Sequence, residues 1–449
     1  MTQHQYAAAA APTIAHDRHR ELFEDLMGAV ASGFPRRETR STFRQLAEGL
    51  LMELENVNCW TLAEAIGHSG PHRLQHLLSR ASWDDEAVLD AAAAWAVAAL
   101  DDGDAVLIAD ETGDAKSSTD AVGAAHQYSG SLGGIGLCQV AVHLTYATSR
   151  GHTIVDRVHY LGRQWAADEE RREHTGVPEE LMFATKTAQA QAMLEKAHAA
   201  GVRASFFAGD EVYGAKALRT TCRRLGLGYA VAVRSSHHLT LPSGARLSAA
   251  KAKALVPKGA WQRMRTGTGS KGARDYDWAM LDVHPDDTPA DHAEGGVSVL
   301  LARRHRYTGT VSYYRCWSPI PASLARLVGI VCLRWKIEED FQAAKNTVGL
   351  DKGQVTTWTS WHRWSTAALV AYAFLAVATA LEAGEPTPAG LELVPLSSFE
   401  LLRLLRLLIL PTPRRDAGHV LRWSAWRRRH QHRARACHQR WHAYADSTP

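Results

Sequence analysis

Cysteine is scarce: there are six in 449 residues, at Cys59, Cys138, Cys222, Cys316, Cys332 and Cys437, and no two form a C-x-x-C pair. That spacing excludes a disulfide framework and a zinc knuckle, and it fits a reducing, cytosolic setting. The chain has no G-K-[ST] of a phosphate-cradling loop, so its glycine-rich stretch SGSLGGIG at 129–136 reads as a hairpin turn. It has no G-x-S-x-G, so no nucleophile elbow. The first residues, MTQHQYAAAAAPTIAH, offer neither a basic region nor a long apolar one, and no signal peptide is expected. The apolar run from Thr366 to Leu381 falls short of the about 20 residues that span a bilayer, so a buried core helix is expected and no membrane partner. His237, His238 and the C-terminal histidines are not spaced as metal ligands.

Net charge is small, +4, but it is unevenly spread. Leu401 to Pro449 holds eleven Arg, no Lys and two Asp, a net of +9, which leaves −5 for the first 400 residues. A basic tail on a slightly acidic body points to a polyanion partner, or else to a solvated Arg-rich helix. The tail LRWSAWRRRHQHRARACHQRWHAY also interleaves Arg with Trp423, Trp426 and Trp441. Such a mixture suits phosphate and base contacts, and equally suits tryptophans packed inward with arginines in water.

Residues 1–18 read as a loose tail, and 1–100 as a helical domain, with apolar residues recurring at three and four from Glu21 to about Leu100. Inside it, WTLAEAIGHSGPHRLQHLLSR reads as two short helices about Gly67–Pro71, either a helix-turn-helix that contacts DNA or plain helical packing. From Asp104 the texture becomes α/β: strands at 105–109, 137–148, 153–161, 202–209 and 229–234 alternate with helical segments, implying a sheet covered by helices over 101–236. Residues 237–319 read as a β-rich insertion. A helix from about Ala322 to Lys345 opens the 320–412 region, and 413–449 is the basic tail.

Three acidic residues stand out. Asp110 ends the strand AVLIA and Asp210 ends FFAG, each followed by Glu; either they sit together at the ligand-binding edge of neighbouring strands, or each merely begins a turn. Glu338 lies in LRWKIEEDFQAAK, where a helix wheel places Arg334, Glu338 and Lys345 on one edge beside the apolar stripe of Ile330, Leu333, Ile337, Phe341 and Ala344. The local alternative is an Arg334–Glu338 pair worth about 0.3–0.5 kcal/mol. Carboxylates converging from different elements suit Mg²⁺, and two such ions about 3.5–4 Å apart clamp a displacement at phosphorus. Arg and Lys nearby hold phosphates.

The segments LIADETGDAK, QYSGSLGGIGLCQVAVHLTYAT, FFAGDEVYG, RWKIEEDFQAAKNTVGLD and TSWHRWSTAALVAYAFLAV resemble those of bacterial insertion-sequence transposases with a DDE triad, of the insertion-sequence-701 type. The resemblance runs from about Phe23 to Leu410. It implies an RNase H-like catalytic core with a β insertion, flanked by an N-terminal helical domain that binds DNA ends and by C-terminal helices. It implies Asp110, Asp210 and Glu338 as the metal-binding triad, with Arg334 and Lys345 gripping DNA near the cleaved phosphate. The Tyr of the group's Tyr-Arg-Glu-Lys signature falls at Val331 and is missing. The implied cofactor is Mg²⁺, which Mn²⁺ can replace, as two ions. The implied partners are terminal inverted repeats and target DNA, with a homodimer on the DNA, in a nucleoid-associated cytoplasmic setting. The implied reaction is hydrolysis at each element end followed by attack of the freed 3′-hydroxyl on target DNA. A DNA-binding relic without catalysis, or a general RNase H-fold nuclease, are the alternatives.

Overall fold

The computed structural model describes residues 16–269, 272–293, 295–384 and 394–447. Most of the segment expected to be a loose tail, 1–15, lies outside them; its last residues belong to α1 (His16–Ala29). Four more helices follow, α2 (Arg37–Leu51), α3 (Cys59–Ala65), α4 (His72–Ser79) and α5 (Asp85–Leu100). Their starts are locally encoded. The Asn58 side chain accepts from the N–H groups of Trp60 and Thr61, and Asp84 accepts from that of Ala87. Helix α2 buries Phe43, Leu46, Ala47, Leu50 and Leu51, the three-and-four spacing read in the sequence. The expected helical pair about Gly67–Pro71 forms as α3 and α4, with Gly67 at φ +89 in the turn.

The strands are β1 (Val106–Ala115), β2 (Ala125–Ser129), β3 (Gly134–Ala147), β4 (His152–Tyr160), β5 (Phe206–Gly209), β6 (Gly228–Val233), a small hairpin of β7 (His238–Thr240) and β8 (Arg246–Ser248), then β9 (Gln262–Gly269), β10 (Gly272–Asp282), β11 (Val297–His305) and β12 (Val311–Ser318). Between β4 and β5 lie α6 (Arg163–Ala166), α7 (Glu169–Thr175) and α8 (Lys186–Ala199); between β5 and β6 lies α9 (Lys216–Arg224).

All strands except β7 and β8 form one sheet, in the order β2-β3-β1-β5-β6-β12-β11-β10-β9, with β4 also on β3. Strands β1, β5 and β6 are mutually parallel, whereas β3 is antiparallel to both β1 and β4. The block read as a β-rich insertion does not stand apart: β12 pairs antiparallel with β6 and continues the sheet. A largely buried charge network fastens it there. Asp287 accepts from Arg219, Arg223 and the Tyr229 hydroxyl, and Asp286 from Arg219 and Arg315.

The last helices are α10 (Ala249–Lys253), α11 (Leu324–Leu333), α12 (Lys336–Thr347), α13 (Trp358–Ala383), α14 (Ser398–Leu408) and α15 (Ala417–Ser447). The single helix expected from Ala322 to Lys345 is interrupted at Arg334 and Trp335, which form a turn with near-helical backbone angles. Helix α13 contains the apolar run, and Ser360 to Ala378 are buried without interruption, as expected of a core helix. Its all-round burial explains why polar members are satisfied by distant partners: Arg363 donates to the carbonyls of Leu77 and Trp83. Phe374 meets Phe23 of α1 edge-on at 5.2 Å. The N-terminal helices, the sheet and α14 thus share one apolar core.

The basic tail splits as its composition allows. At its start, Trp423 is buried with its indole N–H on the His68 carbonyl at 2.8 Å, and Trp426 packs edge-on to Trp60 at 4.9 Å. Further along, Trp441 is exposed among arginines.

Candidate active site

Parallel pairing decides where the two aspartates go. Val106 to Ala109 of β1 align with Phe206 to Gly209 of β5. In parallel register, aligned residues project to the same face, so Asp110 and Asp210 emerge side by side where β5 ends, on strands about 4.8 Å apart. The expected end of β1 at Ala109 is too early, because β1 continues to Ala115 against β3; what ends there is its pairing with β5. Asp110 is therefore held in a strand on one side and open on the other.

Both carboxylates are fixed by adjacent backbone. Asp110 Oδ1 accepts from the N–H of Glu111 and Asp210 Oδ1 from that of Val212, each at 2.8 Å. Burial, then the neighbouring Asp210 carboxylate, pushes Asp110 up to about 8 against the pull of Arg334. Burial also raises Asp210, while backbone N–H donors oppose the rise.

Glu338, Arg334 and Lys345 line the same cavity of about 620 Å³ as Asp110 and Asp210. All five residues named from the sequence are thus brought to one place. Their pairings differ from the local alternative. Arg334 reaches Asp110 Oδ2 at 3.3 Å, a residue 224 positions away, rather than forming a helical pair with Glu338. Lys345 donates to the Thr112 hydroxyl at 2.8 Å and to the Gly113 carbonyl at 2.9 Å, and pairs with Asp114 at 2.9 Å. It fastens α12 to the far half of β1. Glu111, on the opposite face of β1, is taken by Lys186 and by the Tyr213 hydroxyl.

One residue that sequence reasoning passed over holds Glu338 in place. Asp340, two residues on and fully buried, accepts from the Thr145 hydroxyl at 2.8 Å, the Tyr372 hydroxyl at 2.6 Å and His152 at 2.7 Å. It joins α12 to β3, β4 and α13. The signal was present: Asp340 lies three residues after Ile337 and four before Ala344, a charge within the apolar stripe. Burial alone would lower His152, but Asp340 and Glu339 carry it to about 9.

The donor set fits a divalent metal. Asp110 and Asp210 are hard oxygen donors, crowded and short of positive charge, which is the condition an added cation relieves. Among the described residues, no three His, Cys, Asp or Glu side chains are grouped closely enough to hold a metal ion; the Arg334 guanidinium stands against Asp110, and Glu338 shares the cavity without closing a cluster.

A family model described as DDE superfamily endonuclease matches residues 29–278, a stretch that includes Asp110 and Asp210 and ends before Glu338. A probable transposase for insertion sequence element IS701 from Microchaete diplosiphon is 24% identical over 237 residues, 52% of this chain and 57% of the relative. The match thus spans little more than half the relative's length. Among solved structures, the cryo-EM structure of piggyBac transposase synaptic complex with hairpin DNA (SNHP) aligns at a TM-score of 0.42 and 10% identity, over 89% of this chain and 78% of that one.

Proposed function

This chain belongs to the DDE superfamily of endonucleases, and from that membership we propose that it is an insertion-sequence transposase that cuts element ends and joins them to target DNA. The observation that carries the proposal is the parallel register of β1 and β5, which sets Asp110 beside Asp210 in the cavity that also receives Glu338 and Arg334. The order β4-β3-β1-β5-β6, with β3 alone reversed, supports reading this part of the sheet as an RNase H-like core. The helices of 1–100 and the tail of 413–449 are then DNA-binding parts around it.

In this reading Asp110, Asp210 and Glu338 hold Mg²⁺ or Mn²⁺. When bound, two such ions activate the attacking oxygen and stabilise the leaving one. The remaining work belongs to the chain. Arg334, released from Asp110, holds a phosphate oxygen of the scissile group by charge-assisted hydrogen bonds. Lys345 keeps β1 and α12 at fixed separation, and Asp340 fixes the height of α12, so Glu338 faces the aspartates. Water attacks phosphorus and the 3′-oxygen leaves with a proton; that 3′-hydroxyl then attacks a target phosphodiester, whose own 3′-oxygen is displaced and takes up the proton. Two ends must be paired for joining, so a homodimer on DNA is part of the proposal.

The test is cleavage of a labelled duplex carrying the repeats that flank the gene, with Mg²⁺ or Mn²⁺, by wild type and by Asp110→Asn. Cutting by wild type alone is expected. Cutting by both would misplace the site, and binding without cutting by wild type would favour the relic. Cutting indifferent to the repeats would favour a general nuclease.

A further inference from the structure

The β2–β3 hairpin, set aside in the sequence as a turn, carries an unusual surface. From Gln127 to Cys138 there is no charged residue, in a chain that is 22% charged. Its two directly paired residues, Tyr128 and Ile135, are 69% and 77% exposed, and Leu132 between them is also exposed. Single exposed apolar side chains are ordinary, but a paired set at a hairpin tip is a contact surface.

Three facts tie that surface to the candidate site. First, Asp110 aligns with His143, and alternate positions of β3 back to Ile135 share its face, as does Tyr128 opposite Ile135. Second, Tyr128, Ser129, Gly130 and Ser131 line the cavity that holds Asp110, Asp210 and Glu338. Third, the hairpin is anchored. Ser131 donates to the Gly113 carbonyl at 2.6 Å and meets the Ser129 hydroxyl at 2.9 Å, and the same carbonyl accepts from Lys345. Gly113 leaves room for this approach, since a Cβ there would lie 2.4 Å from Ser129 Oγ. The exposed side chains therefore stand on a fixed base.

We infer that this hairpin tip is a base-stacking platform: Tyr128, backed by Ile135, receives the face of a nucleobase unstacked next to the scissile phosphate. The inference rests on the DNA-cutting reading above. An uncharged, apolar tip gains little from phosphates, which the arginines serve, but an aromatic face stacks on any base, and apolar wedges hold opened base steps apart. A base extracted beside the scissile group frees the backbone to enter a cavity closed on the other side by α12.

The experiment uses the full chain and duplexes from the gene's flanking repeats, with 2-aminopurine placed singly at successive positions around the cut, and with Ca²⁺ so that binding is read without cutting. Wild type should change the fluorescence at one position beside the cleaved step. Tyr128→Ala should lose that signal and keep its melting temperature, and Tyr128→Phe should retain it. In Mg²⁺, Tyr128→Ala should cut fully paired ends about 10- to 100-fold more slowly, and a mismatch at that one position should recover part of the loss. A wild-type signal spread evenly over positions, or an Ala variant indistinguishable from wild type, would overturn the inference. So would loss of self-association in Tyr128→Ala with the base signal intact, which would make the tip a protein contact. A wild type that shows the positioned signal yet never cuts would instead sink the nuclease reading alone.

Discussion

Two groups of charges lie along the same sheet, and they are composed in opposite ways. At the β6–β12 junction, Arg219, Arg223 and Arg315 meet Asp286 and Asp287, with the Tyr229 hydroxyl as a further donor. Although burial pushes Asp286 up, Arg219 and Arg315 hold it far below the usual carboxylate range. At the end of β5, Asp110, Asp210 and Glu338 share one cavity with Arg334, and Asp110 is pushed up to about 8. The first group is satisfied within the chain and fastens two parts of the sheet. The second is left short of cations, a state that costs stability and makes sense where a ligand supplies the missing charge.

The sharpest way to break this comparison is a pair of substitutions. Asp110→Asn should lower cleavage at least about 100-fold, the scale of losing one preorganised electrostatic group, while leaving the melting temperature equal or higher. Asp287→Asn should do the reverse, destabilising the fold by about 3–5 kcal/mol in urea titrations, because, among the described residues, Arg223 loses its only carboxylate partner and Arg219 one of its two. Equal destabilisation by both would erase the distinction.

Next in size is the response to metal. Saturating Mn²⁺ at about 100 times its dissociation constant should stabilise the wild type by about 2.7 kcal/mol, and Asp110→Asn by much less. A shift of the same size in both would place the ion elsewhere.

Smaller again is the pH dependence of the Asp340 cluster. The ring of His152 binds its proton more tightly folded than unfolded, with a folded value of about 9 against an ordinary 6.5. Its contribution is fully present below about pH 6.5 and is lost as pH rises through about 9. Thermal melts across that window should show a fall in wild type that His152→Gln lacks; parallel curves would deny the histidine its charge.

The smallest effect concerns the tail. Removing residues 428–449 takes five exposed-helix arginines while sparing the packed Trp423 and Trp426. The slope of log affinity for DNA against log salt should become shallower by about 0.9 for each phosphate that the shortened chain no longer neutralises. An unchanged slope would make that half of α15 a solvated helix only.

Much of this architecture could be read in advance where it depends on near neighbours. The two short helices about Gly67–Pro71 follow from a capping residue and a turn glycine, and the strands before Asp110 and Asp210 from short apolar runs. The single helix drawn through Ala322–Lys345 was too simple, because the turn at Arg334 and Trp335 keeps near-helical angles and the apolar period runs on through it. A helix wheel places Arg334 beside Glu338 on one edge, but it knows nothing of Asp110 across 224 residues. Asp340 was overlooked because its three partners come from three other elements.

By itself, then, the sequence determined the spacing of apolar residues, the caps, the acidic residues at strand ends and the basic tail, all of them interactions between residues a turn or a strand apart. Only the tertiary structure decided that Ala109 aligns with Gly209, that β12 extends the sheet from β6, and that Tyr128 and Ile135 share the face of Asp110. Strand register is a choice among pairings made by the whole packed core, and a slip of one residue would turn each of these side chains to the other face.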